Sequence, residues 1–392
     1  MQVTPLPFDD DSAWAPWAEQ WRIRGDTLYL NHGSFGPPPE MVRQARAVWQ
    51  AQLDEQPMDF FLRRLEPAWR EARRRVAQFV GAAEDNLVFA SNATAGMNVV
   101  AGSFPLAAGD EVLLTDHEYG AVTRIWERAC RRSGARVTTV SLPLPLEAFE
   151  QVTDAITAAI TSRTRLLVVS HITSPTAITL PVGDICRAAH ERDVAVCIDG
   201  PHAVAQLELR LDELGCDFYV ASGHKWLSAP FGSGFLYVHP RWQSHIEPPL
   251  LSWGVLSPAK PSTWWEEFYW TGTTDPSAML TMPVAIDFLE QVGLPAFRGR
   301  THYLAQYARR RLEELTKRTP LTPDSADWYG AMAHVPLPPG DAASLQRALW
   351  ERYQIEAPIV AWNGSRYIRV SCHLYNNTRH IDRLVAALAS LL

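Results

Sequence analysis

The chain is predicted to be an α/β protein with a mainly parallel seven-stranded sheet in a large domain and a smaller α+β domain at the C-terminus. Three observations predict it. Short apolar runs alternate with helix-length segments through the middle of the chain, the pattern of a parallel sheet covered on both faces. Polar residues gather where those runs stop, which is where such sheets place ligands. The length of 392 residues exceeds a typical domain of roughly 100–200 residues.

Taken in order, segment 1–56 is expected to pack near the small domain or across the junction, and the large domain to occupy 57–285. Its strands are read at Asn86–Ala90, Glu111–Thr115, Arg136–Val140, Arg165–Ser170, Val194–Ile198 and Phe218–Ala221. Each is short, apolar and bounded by polar or turn residues. Gly234–Val238 is a seventh strand, expected to be reversed because only a short Gly/Pro loop separates it from the sixth. Helices are read in 120–133, 146–161 and 183–192. Stretch 258–278 breaks the rhythm with Pro258, Pro261, Gly272 and Pro276. It is read as a long loop, and its Trp264, Trp265, Phe268, Tyr269 and Trp270 suit an interface core. A helix-rich segment, 279–317, leads into the small domain, 286–392. That domain has strands at Met332–Val335 and Tyr367–Ser371 and a closing helix at Arg379–Leu391.

Composition narrows the function. Hydrophobic residues at 47% and charged residues at 20% allow a large core. A net charge of −7 argues against nucleic acid as a partner. The basic runs Arg73–Arg75 and Arg309–Arg311 are read as exposed helix faces. The first ten residues lack a basic n-region and an apolar h-region, so no signal peptide is expected. No apolar run is long enough for a bilayer. Five scattered cysteines without CxxC pairing or metal-ligand spacing suit a cytoplasmic protein without a metal site.

The chemistry is read from the strand ends. Lys225 is one of three lysines in a chain holding 36 lysines and arginines together. It follows an apolar strand in Ser222-Gly223-His224-Lys225, and Asp199 ends another strand 26 residues upstream. A lysine for a Schiff base and a carboxylate for a pyridinium nitrogen are what pyridoxal phosphate requires. A lysine that snorkels to solvent is the plainer alternative. After Ala90 come Ser91–Asn98, small residues and a Thr at a helix start, which form either an anion site or an ordinary N-cap. After Thr115 come Asp116-His117-Glu118-Tyr119, where a flat ring can stack on a cofactor or simply sit in a loop. After Val169 comes the polar run Ser170–Thr176, and after Ile198 come Asp199-Gly200-Pro201-His202. Each signal is weak alone. Five at successive strand ends of one sheet are specific.

Six segments carry a resemblance: YLNHGSFGP (29–37), QPMDFFLRR (56–64), TDHEYGAV (115–122), SHITSPTAITLPV (170–182), IDGPHA (198–203) and SGHKWLSAPFGSGFL (222–236). With them the chain resembles the fold-type I pyridoxal phosphate enzymes of the class V aminotransferase superfamily, and within it the isopenicillin N epimerase branch. The resemblance implies that Lys225 holds the cofactor, Asp199 pairs with its pyridine nitrogen, and His117 stacks on its ring. It implies phosphate contacts from Thr94, the Ala95 amide, Ser222 and His224, and from Thr273 of a neighbouring subunit. His202 takes the position at the phenolate oxygen, with Ser174 on the same side. Arg369 matches the arginine for the substrate α-carboxylate, and Asn31, His32 and Tyr119 are assigned to the substrate. One departure is informative. Desulfurases carry a nucleophilic cysteine shortly before that arginine, whereas 355–365 holds none and Cys372 follows Arg369.

The implied enzyme acts at the α-carbon of an amino acid or amino-acid conjugate through an external aldimine and a quinonoid. It is epimerase- or racemase-like, with secondary metabolism as the expected setting and a β-eliminating C–S lyase or an aminotransferase as alternatives. A non-catalytic protein of this fold is the rival from another class. A homodimer with shared sites is expected, without nucleic acid or membrane. Epimerisation needs a second proton donor opposite Lys225, for which His117, Tyr119 and His32 are candidates by position.

Overall fold

A computed structural model describes residues 6–255 and 259–392. Met1–Pro5, part of the N-terminal reading, and Pro258, the first proline of the aromatic loop, lie outside the described residues.

The strands in chain order are β1 (Leu28–Tyr29), β2 (Leu87–Ala90), β3 (Glu111–Thr115), β4 (Arg136–Val140), β5 (Thr164–Ser170), β6 (Ala195–Asp199), β7 (Phe218–Ser222), β8 (Gly234–Val238), β9 (Met332–Pro336), β10 (Ile355–Glu356), β11 (Ile359–Trp362) and β12 (Ser365–Ser371). Seven of them form one sheet in the order β2-β8-β7-β6-β5-β3-β4. Strands β3 to β7 pair in parallel, and β8 runs antiparallel to both β7 and β2. The reversed strand is therefore where the sequence placed it. Every residue of β3, β6, β7 and β8 is buried, because helices such as Ala93–Ser103, Gly120–Ser133 and Val182–His190 cover the two faces.

A second core forms around the antiparallel sheet β11-β12-β9 and the helices Leu294–Thr316 and Thr378–Ala389. The N-terminal segment joins both cores. Trp14, Trp21 and Val42 pack into the first, and Leu28 and Leu30 into the second. Strand β1 adds in parallel to β10. Residues 279–317 hold two long helices, Met282–Val292 and Leu294–Thr316, parted at Gly293, whose φ is +85°. No helix among the described residues is long and apolar enough to cross a membrane.

Segment 355–365, to which the sequence reading assigned no element, holds β10, β11 and a tight hairpin into β12, turned at Asn363 (φ +47°) and Gly364 (φ +73°). Asn-Gly between strands is a strong short-range hairpin signal. Two expectations are corrected, one for the arginine runs and one for the aromatic loop. The arginine runs are not uniformly exposed. Arg73 is buried with its guanidinium 4.0 Å from the Trp265 ring centre, and Arg309 is buried and donates to the Pro323 carbonyl. At 3.6 residues per turn, three consecutive helical residues cannot all face outward. The aromatic loop carries a short 3₁₀ helix, Trp264–Phe268, and packs on its own chain. Trp265 stacks on Trp69 at 6.0 Å, and Phe61 meets Trp270 edge-on at 5.4 Å.

Candidate active site

Strands β3, β5, β6 and β7 point the same way, so the residues following their ends converge. They enclose a cavity of about 310 Å³ lined by Thr94, Tyr119, Asp199, His202, Lys225 and Arg369, among others.

Lys225 stands on a turn held from several sides. A Cβ on Gly223 would lie 2.6 Å from Ser233 Oγ, so the backbone passes where no side chain fits. The Lys225 carbonyl accepts from Ser228 N at 2.9 Å and lies 2.9 Å from His32 Nε2. Its amine Nζ is 2.9 Å from His202 Nε2, and Trp226 Nε1 donates to His202 Nδ1 at 3.3 Å. An indole N–H can only donate. His202 Nδ1 is therefore the bare nitrogen and Nε2 carries the proton, which points at Nζ. Lys225 then accepts, as a neutral amine. Burial acts in the same direction, bringing the Lys225 pKa down to about 7 against the opposing pull of Asp199. Burial also holds His202 well below the usual imidazole range.

Asp199 closes β6 beneath the cavity. Burial raises its carboxyl to about 6, and the nearby Lys225 opposes that rise. Among the described residues no group donates to its carboxylate. Behind it lies Glu118, which sequence reading passed over. Its oxygens accept from Thr115 Oγ1 and Ser170 Oγ, each at 2.6 Å. Burial lifts Glu118 to about 7 despite these bonds.

Arg369 reaches the cavity from β12. Its Nη1 donates to the Ser174 carbonyl at 2.6 Å and its Nη2 to Ser34 Oγ at 2.7 Å. Burial lowers it to about 10. Among the described residues no carboxylate pairs with it. A buried guanidinium held only by neutral groups is a receptor for an anion.

Other expected residues fall in different places. Ser222, His224 and Ser174 line the cavity. Ser174 does so while bonding Arg369 rather than beside His202 alone. At the helix Ala93–Ser103, Ser222 Oγ accepts from Ala93 N and Asn92 Oδ1 from Ala95 N, each at 2.9 Å. The Ala95 amide is thus capped by its own chain, whereas Thr94, whose amide finds no acceptor among the described residues, lines the cavity. Thr273 is exposed and lies outside this cavity.

Three expected site residues, His117, His32 and Asn31, lie outside the cavity lining. His117 is fully buried off the cavity. Its Nδ1 lies 2.7 Å from Thr176 Oγ1 and its ring 4.4 Å from Trp362. Two residues on, Tyr119 precedes the helix Gly120–Ser133 and lines the cavity instead. His32 is also fully buried, stacked on His373 at 3.9 Å and bonded to Tyr375 and the Lys225 carbonyl. It supports the lysine turn from outside the cavity. Asn31 reaches only the back of Arg369, at 3.4 Å. Its neighbours Gly33, Ser34 and Phe35 line the cavity. A close approach marks this loop, since a Cβ on Gly36 would lie 2.5 Å from the His224 carbonyl.

Residues 59–384 match the family described as aminotransferase class-V. The chain belongs to that family. It is 40% identical over 395 residues to isopenicillin N epimerase of Streptomyces clavuligerus, covering 97% of this chain and 99% of that protein. It is 39% identical to isopenicillin N epimerase of Amycolatopsis lactamdurans, at 97% and 99% coverage. A putative L-cysteine desulfhydrase of Oryza sativa subsp. japonica is 30% identical, at 92% and 82%. Among solved structures, a complex of the cystine C–S lyase C-DES with cysteine persulfide superposes at a TM-score of 0.80 with 21% identity, covering 93% of this chain and 98% of that one. The Escherichia coli cysteine desulfurase CsdA superposes at 0.79 with 22% identity, covering 96% and 97%. These structures show the fold.

The family cofactor is pyridoxal 5′-phosphate, and the residues fit it. A buried amine, a buried carboxylate that has no donor among the described residues and a helix N-terminus line one cavity. His224, beside the lysine, keeps a buried Nδ1 that has no partner among the described residues. The chain is a pyridoxal-phosphate-dependent enzyme of the class V family.

Proposed function

We propose that this enzyme epimerises the α-carbon of an amino-acid conjugate, isopenicillin N or a close analogue of it. The observation that carries the choice of reaction is the 40% identity to an isopenicillin N epimerase over 97% of the chain. In this reading Lys225 holds the cofactor, Asp199 faces its pyridine nitrogen, and His202 Nε2 donates to its phenolate oxygen. Thr94, Ser222 and His224 take the phosphate. When bound, pyridoxal phosphate supplies the electron sink for the pair left at Cα. Arg369 binds the α-carboxylate through its Nη groups, displacing or sharing the Ser34 hydroxyl. Freed as an amine, Lys225 takes the Cα proton.

A homodimer belongs to this proposal, with Thr273 of each chain completing the other site. Its support is the exposure of Thr273 outside its own cavity. Leu250, Leu251 and Trp253, before the same loop, are 66%, 85% and 61% exposed, an apolar surface suited to a partner. A cytoplasmic place in secondary metabolism is part of the same proposal, supported by the epimerase likeness.

The test is incubation of the purified, cofactor-loaded protein with isopenicillin N, resolving product by chiral chromatography. The D-configured epimer is expected. C–S lyase action is the second reading, favoured by the 30% likeness to a putative L-cysteine desulfhydrase. Sulfide and pyruvate from cysteine, with no epimer from isopenicillin N, would replace the first reading with the second.

A further inference from the structure

Inverting Cα requires a proton to leave one face and another to arrive at the opposite one. The inference here rests on the epimerase reading, with Lys225 as the group that serves one face. The acid–base side chains lining the cavity are Tyr119, Asp199, His202, His224, Lys225 and Arg369. Most of them stand with Lys225. His224 is its chain neighbour, His202 Nε2 is 2.9 Å from its Nζ, and Asp199 ends the adjacent strand β6. Arg369 is spoken for by the carboxylate and holds its proton too tightly to release one.

Tyr119 alone arrives from the other side. In the sheet order β7-β6-β5-β3, Lys225 follows β7 and Tyr119 follows β3, with the strand of Asp199 between them. Tyr119 lines the cavity yet is 50% exposed, so the residue borders both the cavity and solvent. The two rings that compete with it by sequence, His32 and His117, are 0% exposed and outside the cavity.

We infer that Tyr119 is the catalytic proton donor on the face of Cα opposite Lys225. The Lys225 amine takes the Cα proton, breaking C–H and forming N–H. The Tyr119 O–H then breaks as a new C–H forms on the other face. Water reprotonates the phenolate, and the lysine ammonium releases its proton to solvent. The reverse reaction exchanges the two roles.

The experiment is Tyr119→Phe, which keeps the ring and removes the hydroxyl. Both proteins, loaded with pyridoxal phosphate, are given isopenicillin N in D₂O, with configuration read by chiral chromatography and deuterium by NMR. Wild type should form the D-configured epimer carrying deuterium at Cα. The variant should lose epimer formation by about 10²–10⁴-fold, while recovered substrate still gains deuterium at Cα with its configuration retained. Titration of the cofactor-free variant with pyridoxal phosphate should give wild-type affinity, since the ring remains. Epimerisation at the wild-type rate in Tyr119→Phe overturns the assignment and places the donor elsewhere, including the partner subunit. Loss of both exchange and epimerisation in a variant of normal cofactor affinity overturns it too, because the hydroxyl would then serve the Lys225 face. A wild-type enzyme that neither exchanges nor epimerises the probe overturns the epimerase reading itself, a result independent of the variant.

Discussion

The two walls of the cavity differ in how strictly they are built. On the β6/β7 wall, Asp199, His202 and Lys225 all line the cavity. On the β3 wall, the expected ring, His117, is turned into the protein and Tyr119 takes the cavity. The cause is the distance from the sheet. Asp199 is still paired, opposite Ser170 and Val220, so the pleat sets its direction. Lys225 lies three residues beyond β7 on a turn pinned by Gly223 and His32. The four-residue turn after β3 lies outside the sheet ladder and is held by distant groups, such as Trp362 Nε1 on the Asp116 carbonyl and Thr176 Oγ1 on His117, and a shift of two positions there exchanges an inward ring for an outward one. Strand register is therefore the better predictor of a functional direction than residue type.

The largest effect that could break the comparison is at Lys225. Lys225→Ala should abolish borohydride-trapped cofactor and nearly all turnover, measured by peptide mass spectrometry. Label found instead on Lys260 or Lys317 would remove the β7 wall from the chemistry. With the Lys225 pKa near 7, the nucleophilic amine fraction grows as pH rises through that value. Cofactor capture by the unloaded wild-type chain should accelerate from pH 6 to 8 and level above it.

Asp199→Asn comes next. Losing a charge aimed at developing charge costs about 10²–10³ in rate, and steady-state kinetics with normal cofactor content would show it. Turnover close to wild type would mean that this wall is merely structural.

Arg369→Lys keeps the charge and loses the planar fork. Charge-assisted bonds of about 1.5–3 kcal/mol predict a KM rise of about ten- to a hundredfold. Cofactor affinity should stay unchanged. An unaltered KM would relocate the carboxylate site.

His117→Ala sharpens the contrast directly. It should lower the melting temperature through the lost Thr176 and Trp362 contacts and leave cofactor affinity near wild type. A loss of affinity without a loss of stability would return His117 to the ring.

The smallest effect is at Glu118. Its folded pKa, about 7, is raised above its ordinary carboxyl value of 4.5. Stability is then fully kept below the ordinary value and lost as pH rises through about 7. Glu118→Gln should therefore gain about 1–3 kcal/mol relative to wild type at pH 8 and little at pH 4.5. Equal denaturant midpoints at both pH values would show that the carboxyl is not buried as a neutral acid.

Much of this protein was determined by sequence alone. Alternating apolar runs set a parallel sheet with one reversed strand, and that order brings Asp199, Lys225 and Thr94 to one edge. The scarcity of lysine singled out Lys225, and the Asn363-Gly364 pair held a hairpin that was there to be read. Tertiary structure decided what no local pattern encodes. It chose Tyr119 over His117, gave His32 to the lysine carbonyl, and let Ser34 and Ser174 hold Arg369. It also buried Arg73 under Trp265 within a run of like residues. The physical reason is common to all four. Each depends on which group from a distant segment arrives to claim a hydrogen bond or a ring face. Periodicity fixes the direction of a side chain only while the backbone is paired; beyond the last paired residue, packing partners fix it.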